Sequence, residues 1–198
     1  MQLHSSVEIP MNAALLALVV LPWTVQLQAR VVPESTIRVS DVRAKAPLLL
    51  GETTAQAILA NRSKFRDNLA KVALSEDLRA RWKAVRRPLV LVAVFGSWCG
   101  DSHRQLPALL ALAAEPNAFI QVHYLGVARD MALKTSDWPT GCPPQKVVRV
   151  PTFYLFDVQP GRQPRLLATV VEKPPRAGQT MAEALVQLLE AGAKPPDT

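Results

Sequence analysis

The feature that most constrains this chain is a change of pattern near its middle. Leu89-Val-Leu-Val-Ala-Val-Phe95 is a continuous apolar run rich in valine. Such a run marks a strand covered on both faces, because a strand with one wet face would alternate. Gly96, Ser97, Trp98 and Cys99 follow directly, and then Leu106, Leu109, Leu110 and Ala113 recur at helical spacing. A buried strand therefore feeds a turn carrying a thiol, and the turn feeds a helix.

The flanking segments extend this frame. From Thr53 to Val85 the pattern is helical: Ile58, Phe65, Leu69 and Val72 form one stripe, and Leu78, Trp82 and Val85 form another. Ser75 followed by Glu76 and Asp77 reads as an N-cap with acids in the first turn, so two helices broken near Ser75 are predicted. Arg86-Arg87-Pro88 ends the second. Phe119 to Leu125 reads as a strand, and Gly126 to Arg149, with Pro139, Gly141, Pro143 and Pro144, as irregular chain. A connection of that length carries a function or a short helix. Thr152 to Phe156 and Leu166 to Val171 read as strands around a turn at Pro160-Gly161. Thr180 and Glu183 have capping-box spacing ahead of Met181, Leu185, Leu188 and Leu189, with Gly192 as the expected helix end. Strand, helix and strand in succession predict a parallel crossover, and the hairpin adds antiparallel strands. The expected architecture is a mixed sheet with helices on both faces.

Composition narrows the function classes. The chain has 198 residues, 49% of them hydrophobic, which suits one domain plus an extension. Its formal charge of +7 comes from scattered residues. The basic cluster Arg79 to Arg87 lacks aromatic interleaving of the kind that reads nucleic acid, so it reads as a solvated helix face and nucleic acid is not an expected partner. Two cysteines and three histidines without ligand spacing predict neither a disulfide scaffold nor a metal site. Ala13 to Leu21 is apolar but far shorter than the roughly 20 residues of a membrane span. It fits the apolar part of a secretory signal ending at Ala29, although no Lys or Arg precedes it and Leu27 is large for its place. The other reading is a buried N-terminal helix. The expected division is a signal peptide over 1–29, an extended lead-in over 30–52 with a short strand near Ile37 to Val39, a helical extension over 53–88, the main domain over 89–192 and a tail over 193–198. The expected location is periplasmic or secreted, with the cytoplasm as the alternative.

Cys99 is the candidate reactive group. A thiol attacks as thiolate, and the unpaired N–H groups and dipole of a helix N-terminus favour that anion. His103 and Arg104, one turn on, are expected to add positive potential, and Asp101 to oppose it. A lone cysteine is more often a buried small hydrophobe. Trp98 before it and Gly100 beside it argue for exposure here.

Phe95-Gly96-Ser97-Trp98-Cys99-Gly100-Asp101-Ser102 resembles the active-site segment of the thioredoxin superfamily, W-C-G-x-C. Pro107 falls eight residues after Cys99, where thioredoxins kink the active-site helix, and Arg149-Val150-Pro151-Thr152 is similar to the family's cis-proline segment. The resemblance covers roughly Leu89 to Gly192. It is nearest to bacterial thioredoxin-like proteins with a W-C-G-D-S motif, which also carry a helical segment before the first core strand. It implies an α/β, thioredoxin-like three-layer fold with a mixed central sheet, a cis bond at Pro151, and backbone contacts from Val150 to an extended substrate.

Three departures shape the expected chemistry. Ser102 stands where thioredoxin has its resolving cysteine, so no local disulfide can close. Single-cysteine exchange remains, with Ser102 expected to donate a hydrogen bond to the Cys99 thiolate. Ala93 replaces the buried acid that serves the second thiol. Cys142, nine residues before Pro151, is a candidate remote resolving thiol or a structural cysteine. The catalytic candidates are thus Cys99 and Ser102, surrounded by Trp98, Gly100, Asp101, His103, Val150 and Pro151. The implied activity is that of a monothiol reductase, an isomerase-like protein or a handler of glutathione adducts. Its partner is a thiol or disulfide, glutathione is the candidate co-substrate, and no other cofactor or stable membrane span is expected. The alternative is a redox-inactive binding module for a protein partner.

Overall fold

In the computed structural model the described residues are 37–39 and 47–193. The expected signal peptide and most of the tail lie outside them.

Chain order is β1 (Ile37–Val39), β2 (Leu48–Thr53), α1 (Ala55–Asn61), α2 (Ser63–Leu69), α3 (Glu76–Ala84), β3 (Leu89–Phe95), α4 (Gly100–Ala113), β4 (Ile120–Gly126), a 3-10 turn (Thr135–Asp137), β5 (Thr152–Asp157), β6 (Arg165–Val171) and α5 (Met181–Ala193). The sheet order is β1-β2-β4-β3-β5-β6. β3 and β4, joined through α4, are parallel, with Leu89 opposite Ile120 and Phe95 opposite Gly126. The other pairings are antiparallel. A mixed sheet with helices packed against it is present, and β3 is buried at every residue.

Local chemistry starts the helices where the sequence indicated. Ser75 Oγ accepts from Leu78 N–H at 3.2 Å. Thr180 Oγ1 accepts from Glu183 N–H at 3.2 Å while Glu183 takes the Thr180 N–H at 2.7 Å, a reciprocal capping box. Three expectations change. The lead-in supplies β2, which pairs with both β1 and β4. The segment before Ser75 holds two helices instead of one, because Arg62 is extended between them at φ −142°. Gly192 does not end α5, which runs to Ala193. A Cβ there would lie 2.7 Å from Leu155 Cδ2 and 2.9 Å from Leu167 Cδ1, so this glycine lets the helix sit close on the sheet.

The layers are unequal. The mixed sheet is as expected, but the helices expected on both of its faces are not: among the described residues all five α-helices pack into one core on one face, with Leu91, Ala93, Phe95 and Phe153 beneath Phe65, Trp82, Leu106 and Leu185, because their apolar stripes all meet that face. The opposite face, carrying Val90, Val92, Val94, Tyr154 and Phe156, is covered by Trp138, Cys142 and Val150 of the long connection. The helices of 53–88 share the core of α4 and α5, and Trp82 of α3 is 1% exposed.

Candidate functional site

The site forms where β3 ends. Cys99 is the N-cap of α4 with an extended backbone, φ −90° and ψ 127°, and its carbonyl accepts from His103 N–H at 3.1 Å. The thiol is half-buried and free. It lies 3.4 Å from the Val150 carbonyl oxygen, toward which it donates, and the Val150–Pro151 bond is cis. The turn after β3 and the chain before β5 thus converge on one sulfur.

The surrounding residues have definite tasks. Trp98 Nε1 donates to the Val127 carbonyl at 3.0 Å, and the Arg129 guanidinium sits 4.7 Å from the Trp98 ring centre. A Cβ on Gly96 would come within 2.7 Å of that indole, so Gly96 makes room for it. Gly100 opens α4 beside the thiol. Asp101 is paired with Arg104 at 2.6 Å, which offsets its charge near Cys99.

Two expectations about neighbours are corrected. Ser102 is fully buried, and its Oγ accepts the Gly96 N–H at 3.2 Å, fastening the turn instead of reaching Cys99. His103 is also buried. Its Nε2 lies 2.9 Å from the Ser97 carbonyl, and its ring packs edge-on against Phe65 at 4.8 Å. Burial pushes its pKa down, and Arg62, Lys64 and Arg104 push the same way, against the hydrogen bond to Ser97. A neutral imidazole donating to Ser97 fits that environment, so His103 supplies shape instead of positive potential.

Cys142 is not brought to Cys99. A Cβ on its neighbour Gly141 would lie 3.3 Å from Pro164 Cγ. Pro164 precedes Arg165, which pairs with Asp157, and Asp157 pairs with Leu89 at the start of β3. Cys99 follows the other end of that strand, on the order of 20 Å away at the usual rise per residue. A disulfide needs Cα atoms within about 7 Å. Cys142 is buried among apolar groups, and burial pushes its thiol up to about 11.

Three contributors were not legible as site residues. Ser97 is fully buried, and its Oγ accepts the Leu49 N–H at 3.1 Å, tying β2 to the turn. Arg129 caps Trp98 from the long connection. Asn68 of α2 donates to the His103 carbonyl at 2.8 Å. Pro107 lies four residues on, inside α4, and has no N–H for that carbonyl. The proline was the available signal: it announced an orphaned acceptor without naming the donor. Ala93 is fully buried, so the place of the missing acid is apolar. Among the described residues no cluster of three or more His, Cys, Asp and Glu could hold a metal ion, and no helix is long and apolar enough to cross a membrane.

Known proteins give a coarser frame. No curated protein matches. A crystal structure of a protein of unknown function from Pseudomonas aeruginosa is 18% identical with a TM-score of 0.49, over 73% of this chain and 94% of that one. An HIV epitope scaffold is 18% identical with a TM-score of 0.47, over 71% of this chain and 92% of that one. Residues 50–185 match the family model described as Thioredoxin (Thioredoxin_9). That match spans more than half of the sequence, and with the sheet, the cis-proline and the N-capping cysteine on the page, the chain belongs to the thioredoxin family.

Proposed function

We propose that the protein carries out thiol–disulfide exchange through Cys99 alone. The observation that carries this is the half-exposed, unpaired thiol at the N-cap of α4, 3.4 Å from the carbonyl next to a cis-proline. Cys99 as thiolate attacks one sulfur of a substrate disulfide. The Cys99–substrate S–S bond forms, the original S–S bond breaks and the other half leaves as thiolate. A second thiol, such as glutathione, then attacks the mixed disulfide and returns Cys99. Ser102 fastens the turn and Trp98 walls the approach. No internal resolving thiol takes part, since Cys142 lies at the far end of the sheet.

Incubation with oxidised glutathione followed by intact-mass measurement tests this. One adduct is expected on the wild type and on Cys142→Ala, and none on Cys99→Ser. An unmodified wild type, or an adduct that persists in Cys99→Ser, overturns it.

A second reading has its own support. The exposed large hydrophobic side chains among the described residues are Val148 at 69% and Val171 at 47%. Val148 shortly precedes Pro151, and Val171 pairs with Thr152 just after it. An apolar rim beside the cis-proline suits capture of an extended partner chain without turnover. If Cys99→Ser keeps full partner capture and cellular effect, this binding role replaces the exchange role. We also propose export, supported by the apolar segment Ala13 to Leu21; fractionation of cells with and without residues 1–29 tests it.

A further inference from the structure

Cations reach the thiol site from separate parts of the chain. Arg104 of α4 bonds Asp101 through Nη2 at 2.6 Å, and its Nη1 would lie 3.5 Å from a Cβ on Gly100, the residue after the thiol. Arg129, from the long connection, stands 4.7 Å from the ring centre of Trp98, the residue before the thiol. Arg149 precedes Val150, whose carbonyl oxygen is 3.4 Å from the Cys99 sulfur. A further side is α2, which Asn68 docks on α4 through the His103 carbonyl at 2.8 Å. Phe65 of α2 packs on the His103 ring at 4.8 Å, and the charges of Arg62 and Lys64, at the start of that helix, reach the same ring.

The carboxylates nearby do not cancel this charge. Asp101 is matched by Arg104, and Glu172 by Arg149 at 3.0 Å. Asp130 follows Arg129 and accepts the Ala132 N–H at 3.1 Å through Oδ1. On α2 and its cap, Arg62, Lys64 and Arg66 stand against Asp67, so that side is net positive. The arginines in these pairs keep further donors, because a guanidinium carries five N–H groups in a fork that suits a carboxylate. The side chains of Arg104 and Arg149 are 64% and 67% exposed, so those donors face solvent. The N-terminus of α4 adds partial positive charge at the same place.

We infer, resting on the reading of Cys99 as an exchange thiol, that the site selects small disulfides whose halves carry carboxylates within a few bonds of the sulfurs. The cations lie on or beside the residues that flank the thiol. Carboxylates close to the reacting sulfurs meet them, and ammonium groups in the same place are repelled. The Cys99 thiolate forms the new S–S bond, the substrate S–S bond breaks, and the other carboxylate-bearing half leaves as thiolate.

Dithiodipropionate, hydroxyethyl disulfide and cystamine test the assignment, because they are similar in length and are anionic, neutral and cationic at neutral pH. Mixed-disulfide formation on Cys99 of the full chain is timed by intact mass. Each rate is divided by that of a neutral free thiol, N-acetylcysteine methylamide, with the same disulfide, which removes differences between the leaving thiols. At low salt the anion is expected to react roughly tenfold faster than the cation on this scale, with the neutral disulfide between them. Salt at about 0.5 M should bring that ratio toward one. Lys64→Glu with Arg104→Glu reverses two exposed charges and should bring the ratio to one or below at low salt, while Lys64→Glu alone lowers it part of the way. The rate with the neutral disulfide reports any change in the thiolate itself. The inference is overturned if anion and cation react equally at low salt, if their ratio ignores salt, or if both charge reversals leave it unchanged. The salt comparison on wild type decides the matter even if the double variant fails to fold. If the neutral disulfide never modifies Cys99, the exchange reading falls and this inference with it; equal reaction of all three overturns the inference alone.

Discussion

The two faces of the central sheet are covered by different kinds of chain. On one face lie five α-helices whose apolar stripes meet Leu91, Ala93 and Phe95. On the other, the connection between β4 and β5 lays Trp138 edge-on against Tyr154 and Phe156, at 5.5 and 6.3 Å between ring centres. β3 is dry on both sides, as its unbroken apolar run demands, but burial alone does not dictate what provides the cover. Helical cover comes from segments with their own periodicity. The loop cover has none, and depends on a few large side chains and on where its ends are tied. The thiol site sits at the junction, with Cys99 supplied by the helical side and Val150 by the loop side.

The largest expected effect contrasts the two anchoring tryptophans. Trp82→Ala should cost about 4–5 kcal/mol in urea unfolding, because it opens a cavity and leaves the Glu115 carbonyl without its donor. Trp138→Ala should cost about 3–4 kcal/mol. Its amide exchange should accelerate first within 127–151, since irregular chain opens locally more easily than packed helices. If α4 and α5 exchange equally fast in Trp138→Ala, the faces form one cooperative unit and the contrast fails.

A smaller effect probes how the helical face is fastened. Asn68→Ala should cost about 1–2 kcal/mol by stripping the His103 carbonyl of its donor. Adding Pro107→Ala returns a backbone N–H to that carbonyl, so the double variant should recover part of the loss. Simple additivity of the two would mean that Asn68 acts elsewhere.

Acid and alkali should act on different faces. His103, on the helical side, has its folded pKa held below the unfolded value of about 6.5. Its contribution is fully present above that pH and is lost as pH falls through the folded pKa. Cys142, on the loop side, has its thiol raised to about 11, so its contribution is present below the unfolded pKa near 8.5 and is lost as pH rises from there toward about 11. Melting curves across pH should show both slopes, with His103→Gln flattening only the acid one and Cys142→Ala only the alkaline one. The smallest effect is kinetic: iodoacetamide at neutral pH should label half-exposed Cys99 and leave Cys142 untouched until unfolding. Equal labelling of both would show that the loop face opens freely.

Most of the frame was legible because it is local. The strand at Leu89–Phe95, the caps at Ser75 and Thr180 and the hairpin all depend on neighbours within a turn or two. β2 was not legible. Leu48–Thr53 is short, and its place depends on pairing Gly51 with Gly126, a contact far along the chain. A Cβ on Gly126 would stand 2.2 Å from the Leu49 carbonyl oxygen, so the close approach of β2 depends on a glycine whose purpose only the pairing reveals. Within the motif, spacing placed Ser102 and His103 near Cys99 but not the direction of their side chains. Both point into the structure, to Gly96 and to Ser97.

By itself the sequence determined a buried strand leading into a helix capped by a thiol, and a proline segment able to face it. Hydrophobic period and capping are properties of contiguous residues, so they survive without a fold. Only the tertiary structure decided that five helices share one face, that Cys142 lies a strand's length from Cys99, and that cations of α2 and the long connection join Arg104 around one thiol. Each of those depends on which distant groups the sheet brings together, and no local pattern encodes a distance across it.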